Sequence, residues 1–332
     1  MRKIQSARQE YMEWCRAIGV DTIEKLNSII DEGKAIELIN LCEARQERKY
    51  AEAADNIFWK SKKCKVVMMS GPSSSGKTSS SLRIAQQARV IGLNPKVIEL
   101  DNYFVNREDT PRDSKGEYDY ECLGAMDVKF LNEQLNDLLS GKEIEVPKFD
   151  FVNGCRVSSG KTLKLGPGDI LFMEGIHALN PDLTPEIDQS RIFRIYISAL
   201  SALNKNRGTK VHGSTTDKRL LRRIVRDNRT RGASPVDSIL RWPSVRDGET
   251  KYIFPFEENA DYVFNSSTLY DIPVLRYFAD PLLRDIAEDS PAYAKAQQLL
   301  GYLSHVKSLS PEEIAAIPPT SIMREFIGGQ TL

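Results

Sequence analysis

With 332 residues, 41% of them hydrophobic and 28% charged, the chain is long enough for one large or two ordinary domains around a buried core. Its 46 Lys and Arg are matched by 46 Asp and Glu, which excludes a global basic field for nucleic acid or an anionic membrane. No apolar run reaches the roughly 18 residues of a membrane span, the 5 cysteines and 3 histidines are too scattered for a zinc site, and the N-terminus is too polar for a secretion signal, so a cytoplasmic protein with reduced thiols is expected.

Residues 1–62 are charged, with apolar positions at helical spacing. Ile23, Leu26, Ile29 and Ile30 share one face, while Ile36, Leu38, Ile39 and Leu41 begin another. Gly19 and Gly33 stand where helices would end, so the reading is a leader of about three helices that packs or dimerises. No catalytic signal lies there.

From Lys65 the texture changes to short apolar runs separated by helical patterns. KVVMMS (65–70) is followed by a helix over 80–92, KVIEL (96–100) and a second helix over 128–141. DILFME (169–174) and IFRIYIS (192–198) precede a third helix over 217–232, and DYVFN (261–265) closes the series. Continuous apolar runs suit strands buried on both faces, and their alternation with helices predicts an α/β fold with a mainly parallel sheet flanked by helices. Beyond about residue 270 the chain reads as helical again. The expected division is a leader at 1–62, a catalytic core at 63–270 with a helical lid at about 210–250, and a C-terminal helical segment at 271–332 packed on the core.

Between the first run and the first helix, Gly71, Pro72, Ser73, Ser74, Ser75, Gly76, Lys77 and Thr78 fit G-x-x-x-x-G-K-[ST] at every fixed position. In such a loop the glycines let backbone N–H groups turn toward phosphate oxygens, and the opening helix adds its positive end. Lys77 is placed for the β- and γ-phosphates and the Thr78 hydroxyl for Mg²⁺, so ATP is expected along 71–79, Ser79 included. A GTPase would need N-K-x-D for guanine. Asn204-Lys205-Asn206-Arg207 lacks the aspartate, and the D-x-x-G match at Asp113-Ser114-Lys115-Gly116 has no strand ahead of it.

Phosphoryl transfer to a hydroxyl needs a phosphate cradle, a metal, a base and cations for the developing charge. Asp101 ends the strand that begins KVIEL, at the sheet edge where α/β ligands bind, and suits a general base. Glu174 ends DILFME and suits a ligand of Mg²⁺, directly or through water; His177 would touch substrate or orient Glu174. The third helix carries Arg219, Arg222, Arg223, Arg226, Arg229 and Arg231. Asp217 and Asp227 are too few to meet them, so either a lid supplies guanidinium groups to the phosphoryl or the face is a solvated basic surface or nucleic-acid patch. The aromatic and acidic clusters at 116–127 and 146–156 suit a stacked base with a ribose, or an ordinary β-hairpin.

Taken in order, GPSSSGKT, the strand-end Asp101, Tyr-Asp-Tyr-Glu, Pro-Lys-Phe-Asp-Phe, Glu174-Gly175 and the arginine helix resemble the uridine kinase/phosphoribulokinase family of P-loop kinases, over about residues 65–270. The kinase half of bacterial-type nucleoside kinases is the nearest likeness. The resemblance implies an ATP-dependent, Mg²⁺-requiring kinase of a small alcohol, with the 5′-OH of a uridine- or cytidine-like nucleoside as the expected acceptor and homo-oligomers common. It implies Asp101 as base, Lys77, Arg223 and Arg226 as catalytic cations, Arg231 at ATP, and Thr78 and Glu174 at the metal. Phe104, Tyr120, Glu121, Phe149 and Asp150 match positions around the acceptor, where His177 is also expected. The chain departs from uridine kinases at Gly154, where a base-pocket histidine is usual, and at Ala233, where a further arginine is usual; Glu174-Gly175-Ile176-His177 is closer to phosphoribulokinases. A sugar-phosphate kinase and a non-catalytic nucleotide-binding module are the alternative readings.

Overall fold

The computed structural model describes residues 2–113, 116–201, 203 and 214–332. The stretch 204–207, the middle of the D-x-x-G match at 113–116 and the first four residues of the expected lid, 210–213, lie outside the described residues. Three helices open the chain: α1 (Lys3–Ala17), α2 (Ile23–Asp31) and α3 (Ala35–Lys60). Thr22 caps α2 by accepting the Lys25 N–H.

The elements that follow are β1 (Val66–Ser70), α4 (Lys77–Val90), β2 (Asn94–Glu99) and α5 (Val128–Leu139). Four short strands come next: β3 (Glu143–Glu145), β4 (Lys148–Asp150), β5 (Cys155–Val157) and β6 (Thr162–Lys164). They pair antiparallel as β3 with β6 and β4 with β5. After β7 (Asp169–Glu174) and β8 (Ile192–Ser198) come α6 (Thr215–Thr230), α7 (Pro235–Tyr252) and β9 (Tyr262–Asn265). The chain closes with α8 (Asp271–Arg284), α9 (Tyr293–Leu303), α10 (Pro311–Ala315) and α11 (Ile322–Ile327).

The central sheet has the order β2-β7-β1-β8-β9, parallel at every pairing. Every residue of β1 and β8 is buried, which is why those runs read as continuously apolar. Glu99 lies opposite Glu174, and Glu174 opposite Met69, so β2, β7 and β1 end flush at one edge.

On one face Met68 and Met173 pack with Leu131 and Leu135 of α5. On the other, Val67 and Ile195 join a cluster that contains Leu26 and Ile57 of the leader, Leu220 and Ile224 of α6, and Leu275, Leu299 and Phe326 of the C-terminal helices. The basic helix α6 is therefore a core element along its apolar stripe, and the α6–α7 pair closes over the loop after β1. Among the described residues no helix is long and apolar enough to cross a membrane.

Candidate active site

A cavity of about 390 Å³ opens where β1, β2 and β7 end. Residues 73–78 of the phosphate loop, Glu99, Asp101, Glu121, Glu174, Arg223, Arg226, Arg231, Glu249 and Glu325 line it.

The loop's shape follows from its residues. A Cβ on Gly71 would stand 2.0 Å from the Ile197 carbonyl oxygen, so only glycine passes β8 here. Gly76 caps α4 at φ 81°, and Ser74 takes φ 57°, the single positive φ at a non-glycine among the described residues. Strain of this kind is tolerated where the backbone is held in place. Ser73 is gripped by the α6–α7 pair: its N–H donates to Glu249 at 2.8 Å, its carbonyl accepts from Arg219 at 3.0 Å, and its hydroxyl faces Arg223 at 3.1 Å. Lys77 Nζ donates to the Gly71 carbonyl at 2.8 Å.

Asp101 sits in a single 3₁₀ turn just past β2 rather than on the strand. That turn lies against the end of β7 because position 175 is glycine; a Cβ there would stand 2.7 Å from Leu100 Cβ. The Asp101 carboxylate is open to the cavity but walled on its other sides. This crowding raises its pKa, opposed by Lys77 and assisted by Glu99.

Glu174 Oε1 accepts from the Thr78 hydroxyl at 2.8 Å, while its Oε2 is buried without a hydrogen-bond partner among the described residues. Burial raises the Glu174 pKa, with Lys77 and Thr78 working against it. Among the described residues no group of three or more His, Cys, Asp or Glu could hold a metal by itself. Thr78 with a partnerless carboxylate oxygen fits Mg²⁺, which takes one or two protein ligands and completes its shell with phosphate oxygens and water.

The six arginines divide. Arg219 forks onto Glu249 and stacks on Trp242 at 5.3 Å, and Arg222 donates to Asp271 at 2.7 Å and to the Ser266 carbonyl at 3.0 Å. Asp217 and Asp227 are indeed supplemented from outside the helix, by Glu249 of α7 and Asp271 of α8, so these two arginines serve neither a lid nor a solvated face. Arg229 is spent on backbone carbonyls of α11. Arg223, Arg226 and Arg231 remain at the cavity, gathered around Asp227 at 3.2, 2.8 and 3.6 Å.

Of the residues expected around the acceptor, only Glu121 lines this cavity. Desolvation in the cavity raises its pKa, with Lys77 opposing and Asp119, Glu249 and Asp101 adding to the rise. Phe104 meets Phe149 edge-on at 5.7 Å, Phe149 meets Phe151 edge-on at 5.1 Å, and Tyr120 tilts against Tyr118. Asp150 is a turn residue here: its carboxylate accepts from Val152 N–H, Asn153 N–H and the Asn153 amide, which together hold its pKa low. His177 is 2% exposed, edge-on to Tyr252 at 5.8 Å, and away from the cavity wall. Its ring nitrogens lie toward the backbone of Glu121 and Cys122 without a well-formed bond, and burial lowers its pKa. Glu249, Glu99 and Glu325 carry no motif that would have marked them.

The model of the Phosphoribulokinase / Uridine kinase family matches residues 66–273. A uridine kinase of Macrococcus caseolyticus is 31% identical over 203 residues, covering 60% of this chain and 87% of its own length. One of Limosilactobacillus reuteri is 30% identical over 200 residues, covering 60% and 81%. Among solved structures, a possible uridine kinase from Bacillus stearothermophilus is 19% identical with a TM-score of 0.41, covering 64% of this chain and 98% of that one.

Proposed function

Since the chain belongs to the phosphoribulokinase/uridine kinase family, and is thus a phosphotransferase acting on an alcohol group with ATP as the donor its family implies, we propose that it phosphorylates the 5′-OH of a uridine- or cytidine-like nucleoside. One observation carries the reading: the phosphate loop, Asp101 and Glu174 stand at the ends of three neighbouring strands around one cavity.

The roles follow from position. Asp101 accepts the proton of the acceptor hydroxyl, and its crowded setting makes the carboxylate a stronger base than a solvated one. Lys77 and the loop N–H groups hold the donor's β- and γ-phosphates, while Arg223, Arg226 and Arg231 face the charge that spreads over the transferring phosphoryl. Thr78 and Glu174 would hold Mg²⁺, which would supply neutralisation of the donor's phosphate charge. Residues 63–270 form the catalytic unit in this reading, and α7 joins its two halves. Glu249 of α7 holds the phosphate loop, and Tyr252 donates to Asp119 of the acceptor loop at 2.8 Å. Positioning and electrostatics carry the rate, with no covalent intermediate.

A second acceptor class is favoured by Gly154. At φ 69° its Cβ position is 2.6 Å from Nε of Arg107, so the guanidinium lies where uridine kinases usually carry an imidazole. Arg107, Asn106, Tyr118 and Asn153 line a separate cavity of about 310 Å³. A cation there suits an anionic acceptor such as a sugar phosphate.

The test is ADP release from ATP and Mg²⁺ across a panel of nucleosides and sugar phosphates. Stimulation by uridine or cytidine supports the first reading. Stimulation by sugar phosphates alone replaces it with the second, and no stimulation by either class would overturn both.

A further inference from the structure

The donor side of the cavity has an owner that the family signature does not include, and the inference about it rests on the kinase reading above. Asp101 follows β2, Glu174 ends β7 and the phosphate loop follows β1, so base, metal and phosphate places run in that order along the sheet edge. The nucleoside end of the donor has to leave on the remaining side, toward β8 and β9. Helix α4 agrees: Thr78 turns its hydroxyl to Glu174, while Ser79, about 100° further round the helix, turns to α11.

That side is closed by the C-terminal segment. Ile322 lies over Gly76, whose Cβ position is 3.1 Å from Ile322 Cγ2. Glu325 Oε2 accepts from the Ser79 hydroxyl at 2.5 Å, and Gln330 Nε2 donates to the same hydroxyl at 2.8 Å. Glu325 Oε1 is 4.0 Å from Arg226, and the side chain faces the cavity. Residues 321–330 all lie beyond the family match, which ends at 273.

We propose that Glu325 recognises the ribose diol of the phosphoryl donor. A nucleotide is anionic along its phosphates and neutral at the ribose, where it offers two O–H donors. A carboxylate is repelled by the first part and hydrogen-bonded by the second, as in dinucleotide sites where an acidic residue takes the ribose hydroxyl. The other cavity carboxylates are spoken for by place or partner. Glu249 is held by Arg219, Arg246 and Ser73, while Glu99 and Asp101 at the end of β2, Glu174 at the end of β7 and Glu121 belong to the acceptor and metal side. Glu325 anchors one oxygen on Ser79 and turns the other inward.

The experiment is calorimetric titration of the full chain with ATP, 2′-deoxy-ATP and 3′-deoxy-ATP in Mg²⁺, without acceptor. Wild type is expected to bind ATP about tenfold to a hundredfold more tightly than at least one deoxy analogue, the range of one hydrogen bond to a charged group. Glu325→Ala is expected to abolish the preference and Glu325→Gln to reduce it, whereas Gln330→Ala should retain it. A merely structural clamp would weaken all three ligands alike. An unchanged ratio in the Glu325 variants overturns the proposal, and so does equal binding of the three by wild type, which decides the matter even if a variant fails to fold. ATP binding without discrimination removes Glu325 alone; no ATP binding by the folded wild type removes the kinase reading and Glu325 with it.

Discussion

Arg219 and Glu249 form a two-pronged ion pair, with nitrogen–oxygen distances of 2.5 and 2.8 Å and side chains only 2% and 3% exposed. Between them they hold the N–H and the carbonyl of Ser73. Burial alone would raise the Glu249 pKa, and the guanidinium more than reverses this, so the net shift is downward. The pair's stabilisation is therefore present at neutral pH and lost as pH falls below the ordinary carboxylate value of 4.5 toward the lowered one.

Arg219→Met leaves the buried Glu249 to Arg246 and the Ser73 N–H and is expected to cost about 1.5–3 kcal/mol in urea denaturation. Arg219→Lys should recover little, since a point charge cannot fork onto two oxygens. ATP affinity should fall in both, because Ser73 loses its grip. A loss under about 1 kcal/mol, the range of exposed pairs, would show that the pair does not hold the loop.

Asp101→Asn should bind ATP as wild type does and turn over about 10²–10⁴-fold more slowly, the usual contribution of a positioned base. In wild type the acid limb of kcat/KM is expected above the ordinary aspartate value of 3.8, because desolvation in the cavity raises the Asp101 pKa. Wild-type turnover in the Asn variant with the true acceptor would remove Asp101 from this role.

Glu174 carries a sign that separates fold from function. Its raised pKa means that protonation favours the folded state: this contribution is full below 4.5 and is lost as pH rises through the folded-state value. At neutral pH the buried charge therefore opposes folding in the absence of metal. Glu174→Gln should raise the Tm without Mg²⁺, and erase most of the further rise that ATP with Mg²⁺ gives the wild type. Differential scanning calorimetry with and without both ligands reads the two effects; a lower Tm in the metal-free variant would contradict the sign.

Restoring the usual histidine at Gly154 should fail. A non-glycine residue at φ 69° costs about 1–2 kcal/mol, and its Cβ would stand 2.6 Å from Arg107 Nε. Gly154→His is expected to lower the Tm and to leave the KM for uridine no better. A tighter KM would show that Arg107 yields and that the pocket accepts an imidazole.

The parts of this molecule that were readable from sequence are those in which a local pattern and its environment coincide. β1, β7 and β8 are buried on both faces, so their composition alone marks them as strands, and their last residues mark the sheet edge that holds Glu174. β2 was harder to delimit: it is an edge strand beginning at the exposed Asn94, and it stops at Glu99, leaving Asp101 on a turn whose position depends on Gly175. Long-range pairing left no trace. Glu249 stands 30 residues from Arg219 and Asp271 stands 49 from Arg222, and no spacing rule joins them. Asp150 has the composition of a ligand, and its carboxylate also holds a turn whose three donors are only two or three residues away, a contact that composition alone does not announce.

The buried cluster that carries α6 runs from Tyr11 to Ile327, whereas the family match spans 66–273. Phe326 lies under the Arg222 guanidinium at 4.9 Å, and Leu26 is as inaccessible as any residue of the sheet. What is inherited as a recognisable signature is thus shorter than what has to fold. A chain cut back to the matched residues would keep the phosphate loop but lay open the interior that α6 shares with both ends.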